Sequence, residues 1–165
     1  MVEHAAETYV AEFAPSADIE YVDLNDFEMP IFSPERRSAH GIHPLAQAFF
    51  DKMGEADVIM MSLAEYNGSF TAAFKNIFDW ASSIDMCVFH KCPTLVLAAS
   101  PGPRGAQHVL NTMVEVGPFF GADVKGSLSV PSFDKTFDIA QKKLASDDLS
   151  RNLRVELNKL NQVSA

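Results

Sequence analysis

A chain of 165 residues, 47% hydrophobic and 21% charged, has globular composition with enough length for a core, which excludes wholesale disorder. Its 22 acidic against 13 basic residues give a net charge of −9 and a pI near 4.9, which excludes a nucleic-acid partner held on a basic face. No apolar run approaches the ~20 residues of a membrane span, and the opening MVEHAAETYV has no hydrophobic signal core, so neither membrane association nor a secretory leader is expected.

Residues 2–13 carry apolar side chains at Val2, Ala6, Tyr9, Val10 and Phe13, the spacing of a helix with one inward face. Pro15 to Asp18 breaks it, and Ile19 to Leu24 alternates with period two, which predicts a strand near a sheet edge. Asn25 to Gly41 holds two prolines and reads as a long, partly buried connection covering one edge of the site. Leu45, Phe49 and Met53 mark a second helix starting near His43 or Pro44. Val58, Ile59, Met60 and Met61 predict a strand buried on both faces. After the polar hinge Glu65-Tyr66-Asn67-Gly68-Ser69, apolar residues recur at Phe70, Ala73, Phe74, Ile77, Phe78 and Ala81, a third amphipathic helix.

Pro93 to Ala99 reads as a central strand, and Cys92 as the start of its burial. Ser100 to Gly105 turns the chain into a helix through Val109, Leu110, Met113 and Val114 to about Phe120, ended by Gly121. Val124 to Val130 is the last strand, and Leu149, Leu153, Leu157 and Leu160 mark a closing helix. Alternating helices and strands predict an α/β fold, a parallel sheet between two helix layers. Ligands of such sheets bind at the carboxyl ends of the strands. That is where Glu65 to Ser69 and Ser100 to Gly105 lie.

Other chemistry finds little support. Cys87 and Cys92 read as free thiols of a reduced, cytoplasmic protein, since the sequence offers no zinc-like set of further ligands. His4, His40, His43, His90 and His108 are scattered without a nucleophile in triad-like context, and His40 and His43 read as solvated. Asp23 and Asp26 lack the partner carboxylate that a Mg²⁺-binding signalling module needs.

Glu65-Tyr66-Asn67-Gly68-Ser69, followed by Lys75-Asn76-Ile77-Phe78-Asp79-Trp80, closely resembles the flavin loop PEYNGS…LKNAIDW of the NAD(P)H-dependent FMN reductase family. The family's leading Pro is Ala64 here, after Leu63 where Ser or Thr is usual. Ser100-Pro101-Gly102 with Gly105 resembles the second flavin loop, SPGxxGG, in a shorter copy with Arg104 at a flexible position.

The resemblance implies a flavodoxin-like three-layer α/β/α sandwich over residues 1–165. FMN would lie across Ala64, Glu65, Tyr66, Asn67, Gly68, Ser69, Ser100, Pro101, Gly102, Arg104 and Gly105, with NADPH or NADH as reductant and an acceptor such as FMN or a quinone. No metal and no protein catalytic residue is implied, because the flavin carries the hydride chemistry. Backbone N–H groups of residues 65–68 would meet the flavin edge, Gly68 would admit close approach, and Ser69 would cap the next helix. Taken alone, EYNGS also fits a capped turn, the second loop also fits a structural turn, and Arg104 fits either a cofactor phosphate or a surface charge. The helix carrying Trp80 packs on a partner subunit in the family, so a homodimer or homotetramer is implied, with Trp80 at an interface or in the core.

The family opens with a strand and a phosphate loop, roughly GSxRxxSxN, and this sequence has neither before its first helix. In the sheet order 2-1-3-4-5 that strand is internal. Its absence leaves ladder groups unpaired at about 1–3 kcal/mol each when buried, against a domain stability of roughly 5–15 kcal/mol. Three expectations follow from this: a late-called start, a fragment, or a chain that closes the gap or pairs with another subunit. The alternative function is a truncated, non-catalytic relative that does not retain FMN and keeps folding or subunit-pairing surfaces.

Overall fold

Three of the apolar runs form one parallel sheet in the computed structural model, which describes residues 1–161. The elements are α1 (Val2–Glu12), α2 (Pro34–His40), α3 (Pro44–Glu55), β1 (Ile59–Leu63), β2 (Glu65–Tyr66), β3 (Ser69–Phe70), α4 (Ala72–Ser82), β4 (Pro93–Ala99), α5 (Gln107–Val116), β5 (Asp123–Val130), α6 (Phe133–Thr136), β6 (Phe137–Asp138), β7 (Lys143–Leu144) and α7 (Asp147–Lys159). The sheet order is β1-β4-β5, while β2–β3 and β6–β7 are small antiparallel hairpins.

β4 lies in the middle, and its side chains alternate between two cores. Val96 and Ala98 meet Phe49, Phe74, Phe78, Val109 and Met113 from α3, α4 and α5. Leu95 and Leu97 meet Ala5, Tyr9, Leu153 and Leu157 from α1 and α7. Burial on both faces is why β4 reads as an unbroken apolar run. The helices begin where short polar side chains satisfy free N–H groups. Thr71 Oγ1 accepts from Phe74 N at 3.2 Å, and Ser146 Oγ accepts from Leu149 N at 3.4 Å. His43 Nδ1 accepts from Leu45 N at 3.3 Å, so His43 caps α3 and tilts against Trp80 (ring centroids 6.1 Å apart) instead of standing free in water.

Several expectations are corrected. Residues 19–23 carry no regular structure and pair with no strand, and a 3₁₀ turn follows over Leu24–Phe27. A strand needs a ladder partner. Among the described residues no strand lies beside this segment to serve as one. For the same reason β1 is an edge strand among the described residues: Met60 and Met61 are half-buried and Ser62 is exposed, so the run is not buried on both faces. The helix expected to reach Phe120 is α-helical only to Val116. Pro118, which has no N–H, sits in the 3₁₀ turn Gly117–Phe120 that follows, and Gly121 closes it at φ +81°.

Ser69 is not a cap; it lies in β3, and Thr71 takes that role. Inside the long connection, α2 was not expected, although Ser33 Oγ accepting from Arg36 N at 3.2 Å with Pro34 at the first helical position is a regular start signal. Nor were α6 and the β6–β7 hairpin, in which Phe137 packs against α1 through His4 and Lys142 pairs with Glu3.

Both cysteines are free thiols, and Cys92 stands one residue before β4 with Sγ donating to Ala56 O at 3.2 Å. Burial, with Asp57 adding to it, pushes the Cys92 thiol up to about 11. The unfolded chain's thiol ionises near its ordinary ~8.5. The folded state therefore holds its proton longer, and stability drawn from the neutral thiol is complete below about pH 8.5 and lost as pH rises toward about 11. Urea midpoints are expected to fall across that window, and Cys92→Ala to flatten the fall. A slope unchanged by the substitution would assign it to other groups.

Candidate functional site

Because the strands are parallel, their carboxyl ends meet at one edge of the sheet. There a cleft of about 240 Å³ opens between the ends of β1 and β4. Ser62, Leu63 and Ala64 line it from β1, Ala99, Ser100 and Pro101 from β4, and Met1 and Phe133 close it. The two loops singled out in the sequence thus flank one opening.

The first loop is the β2–β3 hairpin. Asn67 and Gly68 form its two-residue tip at φ +54° and +74°, the left-handed pair that Asn-Gly supplies most readily. An added Cβ on Gly68 would meet nothing within 4 Å, so glycine serves the backbone angle here. Tyr66 is 67% exposed, and Asn67, Gly68 and Ser69 are exposed with it. Glu65 behaves differently. Half-buried, it accepts a hydrogen bond from Val109 N in the first turn of α5 at 3.0 Å.

The second loop is fastened from the other side. Phe133 N donates to Ser100 O at 3.0 Å, Ser132 N to Gly102 O at 2.9 Å, and Ser129 Oγ to Gly105 O at 2.8 Å. Ser100 Oγ accepts from Ala106 N at 3.1 Å, which folds the loop over the start of α5. Gly105 is buried against the end of β5 at φ +57°. Arg104 is exposed and lines a separate groove of about 560 Å³ with Gln107, His108 and Asn111.

Of the residues singled out, Ala64, Ser100 and Pro101 line the cleft, and Tyr66, Asn67, Gly68 and Ser69 stand in the exposed hairpin beside it. Glu65 and Gly105 are turned into structural contacts, and Arg104 lines the other groove. Sequence reasoning missed Phe133, whose ring stacks on Phe137 (centroids 4.8 Å, planes 13°) while facing the cleft. It follows the end of the third parallel strand, a position that topology could have flagged.

The lining fits a flavin ring system in kind: Leu63, Ala99 and Phe133 form an apolar wall, with Ala64 at its rim leading into the polar hairpin. It contains no cationic side chain for a phosphate. Among the described residues no cluster of His, Cys, Asp or Glu is arranged to hold a metal ion.

The chain is 29% identical over 134 residues to probable NADPH:quinone oxidoreductase 1 of Oryza sativa subsp. japonica, covering 79% of this chain and 66% of that protein. It is 36% identical over 78 residues to NADPH:quinone oxidoreductase of Arabidopsis thaliana, covering 47% and 39%. The chain therefore spans less than two thirds of the length of either plant protein. Among solved structures, FerB, a flavoenzyme NAD(P)H:(acceptor) oxidoreductase from Paracoccus denitrificans, superposes with a TM-score of 0.69 at 16% identity, covering 97% of this chain and 87% of that one. Azoreductase AzrA superposes with a TM-score of 0.66 at 14% identity, covering 94% and 87%. These likenesses show a flavodoxin-like fold. The sequence profile of the NADPH-dependent FMN reductases matches residues 1–135, a span that takes in all three parallel strands and both loops flanking the cleft. The chain belongs to the NADPH-dependent FMN reductase family.

Proposed function

We propose that this chain is a flavin-dependent oxidoreductase that binds FMN across the cleft and passes electrons from NAD(P)H to a small-molecule acceptor such as FMN or a quinone. The observation that carries the reading is an apolar-walled opening at the carboxyl edge of the sheet, lined by Ala64, which leads into the EYNGS hairpin, and by Ser100 and Pro101 of the second loop. The hydride chemistry is the flavin's when it is bound. The chain's own residues bind, orient and exclude water. Leu63, Ala99 and Phe133 form an apolar wall, and the exposed tip at Asn67 and Gly68 offers backbone polar groups to a ring edge. No helix of the described residues is long and apolar enough to cross a membrane. The reading extends to a cytoplasmic protein working as a homodimer or homotetramer.

The test is an absorbance spectrum of the purified chain after incubation with excess FMN and desalting. Flavin bands near one per chain, bleached by NADPH without oxygen and restored by a quinone, are expected. A well-folded, colourless protein would overturn the reading for this chain.

A further inference from the structure

We infer that Glu65 is a positioning residue whose carboxylate latches the hairpin to the amino end of α5, so that the two loops flanking the cleft are held as one unit. Its consequence for catalysis rests on the flavin reading; the latch itself does not. The second loop is otherwise tied to the opposite side, through Ser100 O, Gly102 O and Gly105 O to residues 129–133. Those bonds leave its distance from the hairpin unset. The amino end of α5 also lacks a cap of its own: Ala106 occupies the capping position at φ +59° with no side-chain acceptor. Gln107 N reaches Arg104 O at 3.1 Å and Leu110 N reaches Ala106 O at 3.2 Å, while Val109 N is met by Glu65 Oε2 from 44 residues away at 3.0 Å.

A carboxylate suits that place, because the free N–H groups and the helix dipole both favour negative charge there. Glu65 pairs with Phe70 across the hairpin, and Phe70 packs on Phe74 of α4 with ring centroids 5.1 Å apart. The carboxylate therefore connects α5 to a hairpin anchored on α4, and the tip at Asn67 and Gly68 moves with both.

Three proteins test this: the native chain, Glu65→Ala, and Glu65→Gln, whose amide oxygen keeps the acceptor while losing the charge. Amide hydrogen exchange at Val109 and at residues 102–106 reports the latch, FMN titration reports its consequence, and thermal unfolding of the flavin-free proteins reports global stability. Glu65→Ala is expected to speed exchange at Val109 and across the second loop and to weaken FMN about tenfold, the scale of one charge-assisted hydrogen bond. Glu65→Gln is expected to recover most of both. Unchanged exchange at Val109 and residues 102–106 in Glu65→Ala would overturn the latch, and equal losses of FMN affinity in the two variants, with exchange unchanged in Glu65→Gln, would mean that the carboxylate acts on the ligand by its charge and not by holding the cleft. Faster exchange at Val109 and residues 102–106 in Glu65→Ala with FMN affinity intact would keep the latch and overturn its role in holding the cleft. If the native chain binds no FMN, the flavin reading fails, while exchange at residues 102–106 still decides whether Glu65 couples the loops.

Discussion

Gly105→Ala is expected to lose about 3–5 kcal/mol of stability, enough to unfold much of a marginal domain. Two costs combine. At φ +57° an L-residue pays roughly 1–2 kcal/mol for the left-handed conformation. The added methyl would also overlap Ser129 Oγ and lie 2.7 Å from Pro131 N and 2.9 Å from Val130 C. The hydroxyl can rotate away, but the backbone of β5 cannot move without disturbing its pairing with β4. Gly68→Ala is the control. Its φ is +74° but an added Cβ meets nothing within 4 Å, so only the conformational cost remains. Urea denaturation of the two variants separates the terms. A Gly105→Ala protein no less stable than Gly68→Ala would show that the second loop is not wedged against β5. If the wedge holds, a surviving Gly105→Ala protein has a displaced Ser100–Pro101 wall and a distorted cleft.

The fold was legible where burial imposed a pattern. β4 is buried on both faces, and Leu153 and Leu157 of α7, with Leu160 just past its end, pack into the second core as their spacing predicts. Ile19 to Leu24 shows the limit of the same logic: the alternation is real, yet Ile19 and Tyr21 are exposed, because a period-two pattern describes a strand only where a partner exists to pair with it. The candidate site was legible at the level of loops, since parallel topology gathers strand ends whatever the side chains. Individual side chains were not. Glu65 reads as part of a ligand loop until α5, 44 residues later, is folded against it. The direction of Arg104 depends on the left-handed pair Gly105 and Ala106, whose angles no spacing rule supplies. Phe133 gains its meaning from a bond to Ser100 O and a ring stacked behind it.

Trp80→Ala is expected to cost about 3–5 kcal/mol, the range for emptying a buried aromatic site. The resemblance allowed Trp80 an interface or the core, and within this chain it is only 3% exposed. Its Nε1 donates to Pro30 O at 2.8 Å, and its ring meets Phe32 edge-on at 5.1 Å. One turn earlier on α4, Asn76 completes the grip: Oδ1 accepts from Phe32 N at 2.8 Å, and Nδ2 donates to Met29 O at 3.1 Å and Pro30 O at 3.3 Å. The second half of the family motif is thus a clamp on residues 29–32, which carry no regular structure to satisfy their own backbone groups. Asn76→Ala strands Phe32 N and Met29 O and is expected to cost about 2–3 kcal/mol. Trp80→Phe keeps most of the ring and leaves Pro30 O with Asn76, so its cost is expected to be nearer 1 kcal/mol. Denaturation should rank the three as Trp80→Ala, Asn76→Ala, Trp80→Phe, and amide exchange at Phe32 should rise most in Asn76→Ala, the variant that removes its acceptor. A Trp80→Ala protein as stable as the native chain, or a Phe32 amide equally protected without Asn76, would show that the clamp does not hold this connection.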